Sequence, residues 1–206
     1  MEDARELKAL QLDALREVAN IGAGHAATAL SQMTNRTIMI SVPEVNVRPL
    51  EEVADLLGQP DAVVAAVLMQ MMGDLTGRTL VLFPEVSAKR LCDILLRRPD
   101  GTTNEFGAME QSGLKEVGNI LVSAYMNALS DFMGMMLVPS VPSLVIDQSA
   151  AILTTTYLNF GHERDFVFCV ETSFRFEDNS DPLRGHFLLL PDMPSLRAIF
   201  DAIRLP

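Results

Sequence analysis

The sequence contains no tryptophan, only two cysteines and only three histidines among its 206 residues. Cys92 and Cys169 lie far apart among apolar neighbours. This pattern excludes a disulfide framework and predicts two buried thiols in a reducing compartment. His25, His162 and His186 have no carboxylate or thiol at the spacing of metal ligands, so they do not predict a metal site.

Positive charge is also scarce, with 16 Lys and Arg against 27 Asp and Glu and a net charge of −11. Such a charge repels phosphate backbones, so nucleic acid is not an expected partner. The longest apolar run, residues 62–72, contains Gln70 and is too short to span a bilayer. Residues 1–8 carry no apolar signal-peptide segment. These absences predict a cytoplasmic protein that does not insert into a membrane.

What the sequence does contain is one short pattern of polar residues that occurs twice, 99 residues apart. Each copy has an aspartate or serine, then a glutamate, an asparagine and, 23 residues after the asparagine, a proline: Asp13, Glu17, Asn20 and Pro43, and then Ser112, Glu116, Asn119 and Pro142. A repeat of this kind indicates duplicated structural units. We therefore expect a single domain, residues 1–206, whose halves 1–100 and 101–206 are internal repeats joined at the loop-like stretch 97–101.

Hydrophobic periodicity predicts the order of the elements. Apolar steps of three and four predict long helices at 9–33 and 105–133, and shorter helices at 51–57, 86–96 and 195–203. The apolar stripes of these helices are expected to include Ile21 and Val86. Runs of apolar and β-branched residues predict strands at 37–43, 62–72, 78–83, 139–146, 152–157, 166–176 and 185–191.

Strands that are paired by tight turns favour an antiparallel sheet with helices packed over it. The predicted fold is α+β, internally duplicated and two-layered, with pseudo-two-fold symmetry. The two long helices that carry the repeated pattern pack on the sheet. The order of the strands does not follow from the sequence.

The repeated pattern places polar groups side by side on a helix. Residues three apart are neighbours on one face, so Glu17 lies beside Asn20 and Glu116 beside Asn119, on a stripe next to the apolar one. An asparagine side chain both donates and accepts hydrogen bonds and can therefore hold a water in place. An ionised glutamate offers a salt bridge to a cation on a partner.

These two roles suit phosphoryl transfer, in which catalysis is largely positioning and electrostatics. One turn after each asparagine stands a small residue, Gly24 or Ser123, which leaves space for another molecule to dock. Gly22 and Gly24 each weaken the helix by ~1 kcal/mol relative to alanine, which is tolerated where another backbone comes close.

A single Glu-x-x-Asn is most often a solvated helix face, and the two prolines are more simply structural. Duplication preserves core residues and turn prolines, but it does not explain why two exposed polar side chains are kept at one spacing. The repetition therefore favours a functional interpretation.

Both copies resemble the motif of the CheC, CheX and FliY group of chemotaxis phosphatases. The resemblance is carried by residues 17–28, EVANIGAGHAAT, by residues 116–120, EVGNI, and by residues 128–132, ALSDF. It implies hydrolysis of the phosphoaspartate of the response regulator CheY. Glu17 and Glu116 would pair with the lysine of that receiver domain, and Asn20 and Asn119 would orient the hydrolytic water.

The resemblance also implies that the chain needs no cofactor of its own, since the Mg²⁺ belongs to the receiver. Asp13 and Ser112, one turn before each glutamate, are candidate partner-binding residues. The family further implies a second partner, the receptor deamidase CheD, and residues 145–147 with Asp147 resemble a segment associated with that contact. Two intact motifs favour a CheC-like monomer over CheX, which usually keeps one motif and dimerises.

Two alternatives remain open at this point. The chain could be an adaptor that binds CheD and phosphorylated CheY with weak hydrolysis, or a flagellar switch component similar to FliY. The lack of the extra N-terminal segment of FliY-type proteins argues against the latter. The second motif departs from the usual pattern at residues 121–123, LVS, where Val122 either restricts access or repacks.

Overall fold

The computed structural model describes residues 9–41, 43–48, 61–160, 167–176 and 183–202. Within these ranges, five helices and eight strands follow one another in this order: α1 (Ala9–Thr34), β1 (Ile38–Ile40), β2 (Glu44–Arg48), β3 (Val63–Gly73), β4 (Gly77–Pro84), α2 (Glu85–Leu95), α3 (Ala108–Met133), β5 (Leu137–Pro139), β6 (Ser143–Gln148), α4 (Ser149–Phe160), β7 (Val167–Phe176), β8 (Leu183–Pro191) and α5 (Met193–Ala202). The prediction of an α+β fold is confirmed. The predicted helix at 51–57, His162 and the side chain of Cys169 lie outside the described residues.

The eight strands form one sheet, and every pairing among them is antiparallel. Its order is β1-β7-β8-β4-β3-β5, with β2 also pairing with β7 and β6 also pairing with β3. The two edges of the sheet are built in the same way, each from two short strands that pair with one longer strand. The edge strands β1 and β2 pair with a strand from the second half of the chain, and β5 and β6 pair with a strand from the first half. The division into two repeats of 1–100 and 101–206 stays a prediction.

The side chains of β3 alternate between two cores, as the period of two in a strand requires. Ala65 and Val67 belong to the larger core, which also contains the buried residues of α1, α2, α3 and α5. Val64 and Ala66 belong to a smaller core on the opposite face, which α4 covers with Ile152 and Leu153. The sheet therefore has the two long helices on one face and one short helix on the other.

The two long helices run antiparallel and approach closely. A Cβ atom on Gly22 of α1 would lie 2.7 Å from the ring of Tyr125 in α3 and 3.0 Å from its Cα. Further along, Leu30 of α1 and Val117 of α3 line one small cavity. The sequence-based expectation of a close backbone approach is thus confirmed at Gly22.

Residues 152–157, predicted as a strand, lie within helix α4, so this prediction is wrong. The β-branched run of threonines favours a strand locally. In the fold, Ile152, Leu153 and Thr156 are buried at helical spacing while Thr154 and Thr155 face solvent. Burial of one helix face against the second core overrides the local preference.

Several element boundaries also differ from the prediction. The predicted strand at 37–43 is shortened to β1, and β2 begins after Pro43, which has no backbone N–H to donate to a sheet. Likewise, the predicted strand at 139–146 is divided between β5 and β6 on either side of Pro142, and the second long helix begins at Ala108 instead of residue 105.

Val86 was expected to point inward but is 80% exposed, because it lies in the first turn of α2, outside the stripe of Ala88 and Leu91.

The connection between α2 and α3 is held by a buried carboxylate. Asp93 accepts hydrogen bonds from the backbone N–H groups of Thr102 and Thr103 and from the Thr103 hydroxyl. Beside it, burial, followed by the charge of Glu110, raises the pKa of the Cys92 thiol to about 12. The prediction of a buried thiol is confirmed for Cys92.

Candidate active site

The first copy of the pattern lies on the solvent side of α1. Leu15, Val18 and Ala19 are buried against the core, whereas Glu17 and Asn20 are exposed. The two polar residues, called the first motif below, are three residues apart and so have Cβ atoms about 5–6 Å from each other. Their side chains are accessible to another macromolecule, as the sequence pattern predicts.

The second copy occupies the corresponding face of α3. Leu114, Val117 and Gly118 are buried, Glu116 is exposed and Asn119 is half-buried. Glu116 and Asn119 are called the second motif below. The same spacing therefore gives the same arrangement twice, with the second carboxamide less accessible than the first.

The two motifs lie towards opposite ends of the helix pair. Asn20 is two residues before Gly22, which packs against Tyr125. Asn119 is two residues after Val117, which shares a cavity lining with Leu30. Because the helices are antiparallel, the contact near Asn20 and the contact near Asn119 lie at different heights along the helix pair. The two motifs are therefore two separate polar sites.

The helix under each motif is supported differently. Beneath the first motif lies an apolar cavity of about 50 Å³ whose lining includes Leu15, Val18 and Ala19. Beneath the second, α3 touches the sheet directly, since a Cβ atom on Gly118 would lie 2.5 Å from a methyl group of Val67. A cavity lined by Val117 lies beside the second motif as well, but its volume is only about 10 Å³. The second motif therefore has the more tightly packed support.

Charged neighbours also differ between the two copies. Asp13 Oδ1 accepts a hydrogen bond from Arg16 Nη1 at 2.9 Å, and both side chains are more than half exposed. Such an exposed pair contributes little stability, so Asp13 remains accessible to a partner. Ser112 is exposed and uncharged at the equivalent position, with the half-buried Lys115 in place of Arg16.

Ile21 is a residue whose placement the sequence predicts wrongly. It was assigned to the apolar stripe of α1, yet 44% of it is exposed beside Asn20. Val18 and Gly22 bury the turn on either side, which leaves Ile21 on the outer face. One sequence feature could have indicated an exposed position for Ile21. An isoleucine directly follows the asparagine in both copies, since Ile120 follows Asn119.

Val122 and Asp147 complete the set of sequence-based candidates. Val122 is fully buried, so it packs into the core and does not block the second motif from outside. Asp147 is exposed near the end of β6, which pairs with β3. The fold does not place Asp147 on either motif-bearing helix.

Among the described residues, no group of three or more His, Cys, Asp or Glu side chains is arranged to hold a metal ion. In the same part of the chain, no helix combines the length and apolarity needed to cross a bilayer. The expectation that the chain needs no cofactor stays a prediction.

Comparison with known proteins identifies relatives of this arrangement. The CheC-like family matches residues 10–47 and 109–146, which contain both motifs. The CheY-P phosphatase CheC of Bacillus subtilis is 35% identical over 199 residues, which cover 96% of this chain and 95% of that protein. The flagellar motor switch phosphatase FliY of the same organism is 26% identical over 129 residues, or 63% of this chain and 31% of that protein.

A solved structure shares the fold. The crystal structure of FliY from Thermotoga maritima has a TM-score of 0.74, covers 96% of this chain and 98% of its own, and is 18% identical. At this identity the likeness concerns the fold alone, whereas the identity to the Bacillus protein extends over nearly the whole chain. The chain, with its two Glu-x-x-Asn motifs on antiparallel helices, belongs to the CheC-like family.

Proposed function

We propose that this chain is a phosphatase that hydrolyses the phosphoaspartate of a CheY-type response regulator. The observation that carries the proposal is the outward orientation of both motifs: Glu17, Asn20 and Glu116 are exposed and Asn119 is half-buried, on helices whose other faces are buried. The relative named as a CheY-P phosphatase, which matches the chain almost from end to end, supports the same substrate.

In the proposed reaction, the asparagine positions the attacking water. The carboxamide oxygen of Asn20 or Asn119 accepts a hydrogen bond from the water, and the amide group donates one to a phosphoryl oxygen. The water oxygen attacks phosphorus in line with the bond to the aspartate, that bond breaks, and the aspartate carboxylate leaves. The water's proton ends on the inorganic phosphate or in solvent. Accurate positioning that lowers the barrier by ~2.7 kcal/mol accelerates the step about a hundredfold.

The glutamates have a different role. Glu17 and Glu116 each lie one turn before the asparagine, so each carboxylate can accept a charge-assisted hydrogen bond from a lysine of the receiver. Asp13 and Ser112, both exposed one turn earlier, extend the same stripe and would form its margin. This contact fixes the receiver so that its phosphoaspartate faces the carboxamide.

The remaining parts of the proposal concern partners and cofactors. We infer that the Mg²⁺ needed to neutralise the phosphoryl group is carried by the receiver and that the chain acts as a monomer in the cytoplasm. Contact with CheD through the exposed Asp147 segment stays a prediction.

The test is the decay of a CheY protein phosphorylated with acetyl phosphate and then separated from the phosphodonor. We expect Asn20→Ala and Asn119→Ala each to remove part of the acceleration. The double variant should restore the receiver's own rate, a loss of about a hundredfold. Asn104→Ala is the matched control, because Asn104 is exposed in the connection between α2 and α3 and lies on neither motif-bearing helix.

If the double variant shortens the phosphoaspartate lifetime as the wild type does, the phosphatase proposal is wrong. Receiver binding without any acceleration by the wild type would favour the adaptor alternative. Co-fractionation of the chain with flagellar basal bodies would favour a switch component.

A further inference from the structure

The two long helices contain four glycines, and three of them are explained by contacts within the protein. A Cβ atom on Gly22 would collide with Tyr125, and one on Gly118 would collide with Val67. A Cβ atom on Gly113 would lie 3.1 Å from a methyl group of Leu95. At these positions the close approach of another element favours glycine.

Gly24 has no such explanation. A Cβ atom built on it meets no atom of the described residues within 4 Å, and the residue lies in the interior of helix α1 on an exposed face. Its backbone is helical and does not require the left-handed conformation that favours glycine. Alanine or glutamine would therefore fit and would stabilise the helix. The part of the fold that the structure describes does not account for a glycine here.

A comparison with the second copy shows where the difference lies. Asn20, Ile21 and Gly24 are all exposed, whereas the equivalent residues Asn119, Ile120 and Ser123 are all half-buried. The first motif is therefore flanked by an open surface that contains an apolar side chain and a bare stretch of helix backbone. We call the pair Ile21 and Gly24 the Gly24 surface.

We propose that the Gly24 surface is a docking contact for the phosphorylated receiver domain at the first motif. Gly24 is one turn after Asn20. The distance from the Cβ of Asn20 to the point where a Cβ on Gly24 would lie is about 5–6 Å. A protein that brings a phosphoaspartate to Asn20 must therefore cover Gly24 as well. The missing side chain lets a backbone segment of the receiver approach α1, and Ile21 supplies an apolar contact beside it. The proposal rests on the proposed function and deepens it, since it identifies specificity-determining residues outside the Glu-x-x-Asn pair.

The experiment uses the full chain with Asn119→Ala, so that only the first motif is active. Gly24→Ala, Gly24→Gln and Ile21→Gln are compared in this background. The readouts are binding of a CheY protein loaded with beryllofluoride, a phosphoryl mimic, and the kcat and KM for dephosphorylation. We expect Gly24→Gln to weaken binding and raise KM about tenfold or more, with kcat little changed and Gly24→Ala intermediate. Ile21→Gln should weaken binding without loss of fold, because the side chain is already partly exposed.

Thermal unfolding separates docking from folding. Gly24→Gln should raise the melting temperature of the free chain by roughly 2–3 °C, because glutamine is the better helix former. Reduced docking by a more stable protein cannot be caused by unfolding. The matched control is Gly24→Gln in the Asn20→Ala background, where only the second motif is active and KM should not change.

Each outcome bears on the proposal. Unchanged receiver binding and KM in Gly24→Gln would overturn it and leave the proposed phosphatase function standing. A lower melting temperature for Gly24→Gln would also overturn it, because the glycine would then serve the fold. If the Asn119→Ala protein binds the receiver without hydrolysis and Gly24→Gln weakens that binding, the docking contact stands and hydrolysis at the first motif is wrong. No receiver binding by the Asn119→Ala protein would overturn the docking contact.

Discussion

At the scale of single residues, the first turn of α3 contains a buried acidic group that is not part of either motif. Glu110 is 7% exposed, and its carboxylate Oε1 accepts a hydrogen bond from Arg98 Nη1 at 2.5 Å. A hydrogen bond from its own backbone N–H, followed by the bond from Arg98, lowers the pKa of the Glu110 carboxyl below its ordinary value of 4.5. This ion pair joins the connection between α2 and α3 to α3 itself, the helix that carries the second motif.

The lowered pKa predicts a pH-dependent effect on stability. The ionised form stabilises the folded state above the ordinary pKa of 4.5, and this contribution is lost as the pH falls through the lower folded value. Glu110→Gln should therefore reduce the free energy of unfolding at pH 7, and its difference from the wild type should shrink below a pH of about 4.5. Urea denaturation at a series of pH values measures this difference.

Glu105→Gln is the matched control, since Glu105 is exposed in the same connection. It should behave like the wild type throughout the series. An equal loss of stability at every pH in Glu110→Gln would show that the ion pair is not its cause.

Single residues also show which side-chain placements can be predicted from the sequence. Glu17 and Asn20 could be placed facing solvent, because on a regular helix their stripe runs beside the apolar stripe of Leu15 and Val18 and not within it. Ile21 could not, because the periodicity groups an isoleucine with the apolar stripe unless the neighbouring elements are known.

At the scale of elements, the packing of the long helices on each other and on the sheet holds the motifs in place. Gly118 lets α3 approach β3, whose Val67 is fully buried and β-branched. A β-branched side chain has few alternative rotamers, so Val67 cannot easily move aside.

We therefore expect Gly118→Ala to destabilise the protein by about 1–2 kcal/mol, as overpacking exceeds the gain in helix propensity. Gly24→Ala, an alanine substitution on the other long helix with open space around it, should stabilise by ~1 kcal/mol. Denaturant unfolding of both variants measures the contrast.

A double-mutant cycle tests the cause. Val67→Ala should relieve the collision, so Gly118→Ala with Val67→Ala should be less destabilised than the sum of the single variants by about 1 kcal/mol. Simple additivity would exclude the Val67 contact as the reason for the glycine.

The success of the sequence at this scale depends on the length of the element. The long helices have many turns of consistent periodicity and are predicted almost to the residue at 9–33. The segment 152–157 is short and rich in β-branched residues. It is helical because α4 buries one of its faces against the second core.

At the scale of the whole molecule, the two halves of the chain are intertwined. β1 and β2 of the first half pair with β7, and β5 and β6 of the second half pair with β3. At the centre of the sheet, β4 pairs with β8, for example Val81 with Phe187. Each half alone would expose the edges of strands that are paired in the complete chain.

Chain cleavage tests this arrangement. The exposed Asp100 and Gly101 separate fragments 1–100 and 101–206. We expect neither fragment alone to unfold cooperatively, and equimolar mixing to restore the circular dichroism spectrum and unfolding transition of the intact protein. A cooperative transition in either fragment alone would mean that the half is an independent folding unit.

The sequence by itself determined the long helices, the antiparallel character of the sheet and the outward orientation of the motif stripes. The long helices and the motif stripes depend on residues close together in the chain, and so do the hairpins β3–β4 and β7–β8, which are enough to indicate an antiparallel sheet. Only the tertiary structure decided the exchange of edge strands between halves, the position of α4 on the second face and the unequal exposure of the two motifs. These features depend on contacts between residues far apart in the chain, where burial outweighs local preference.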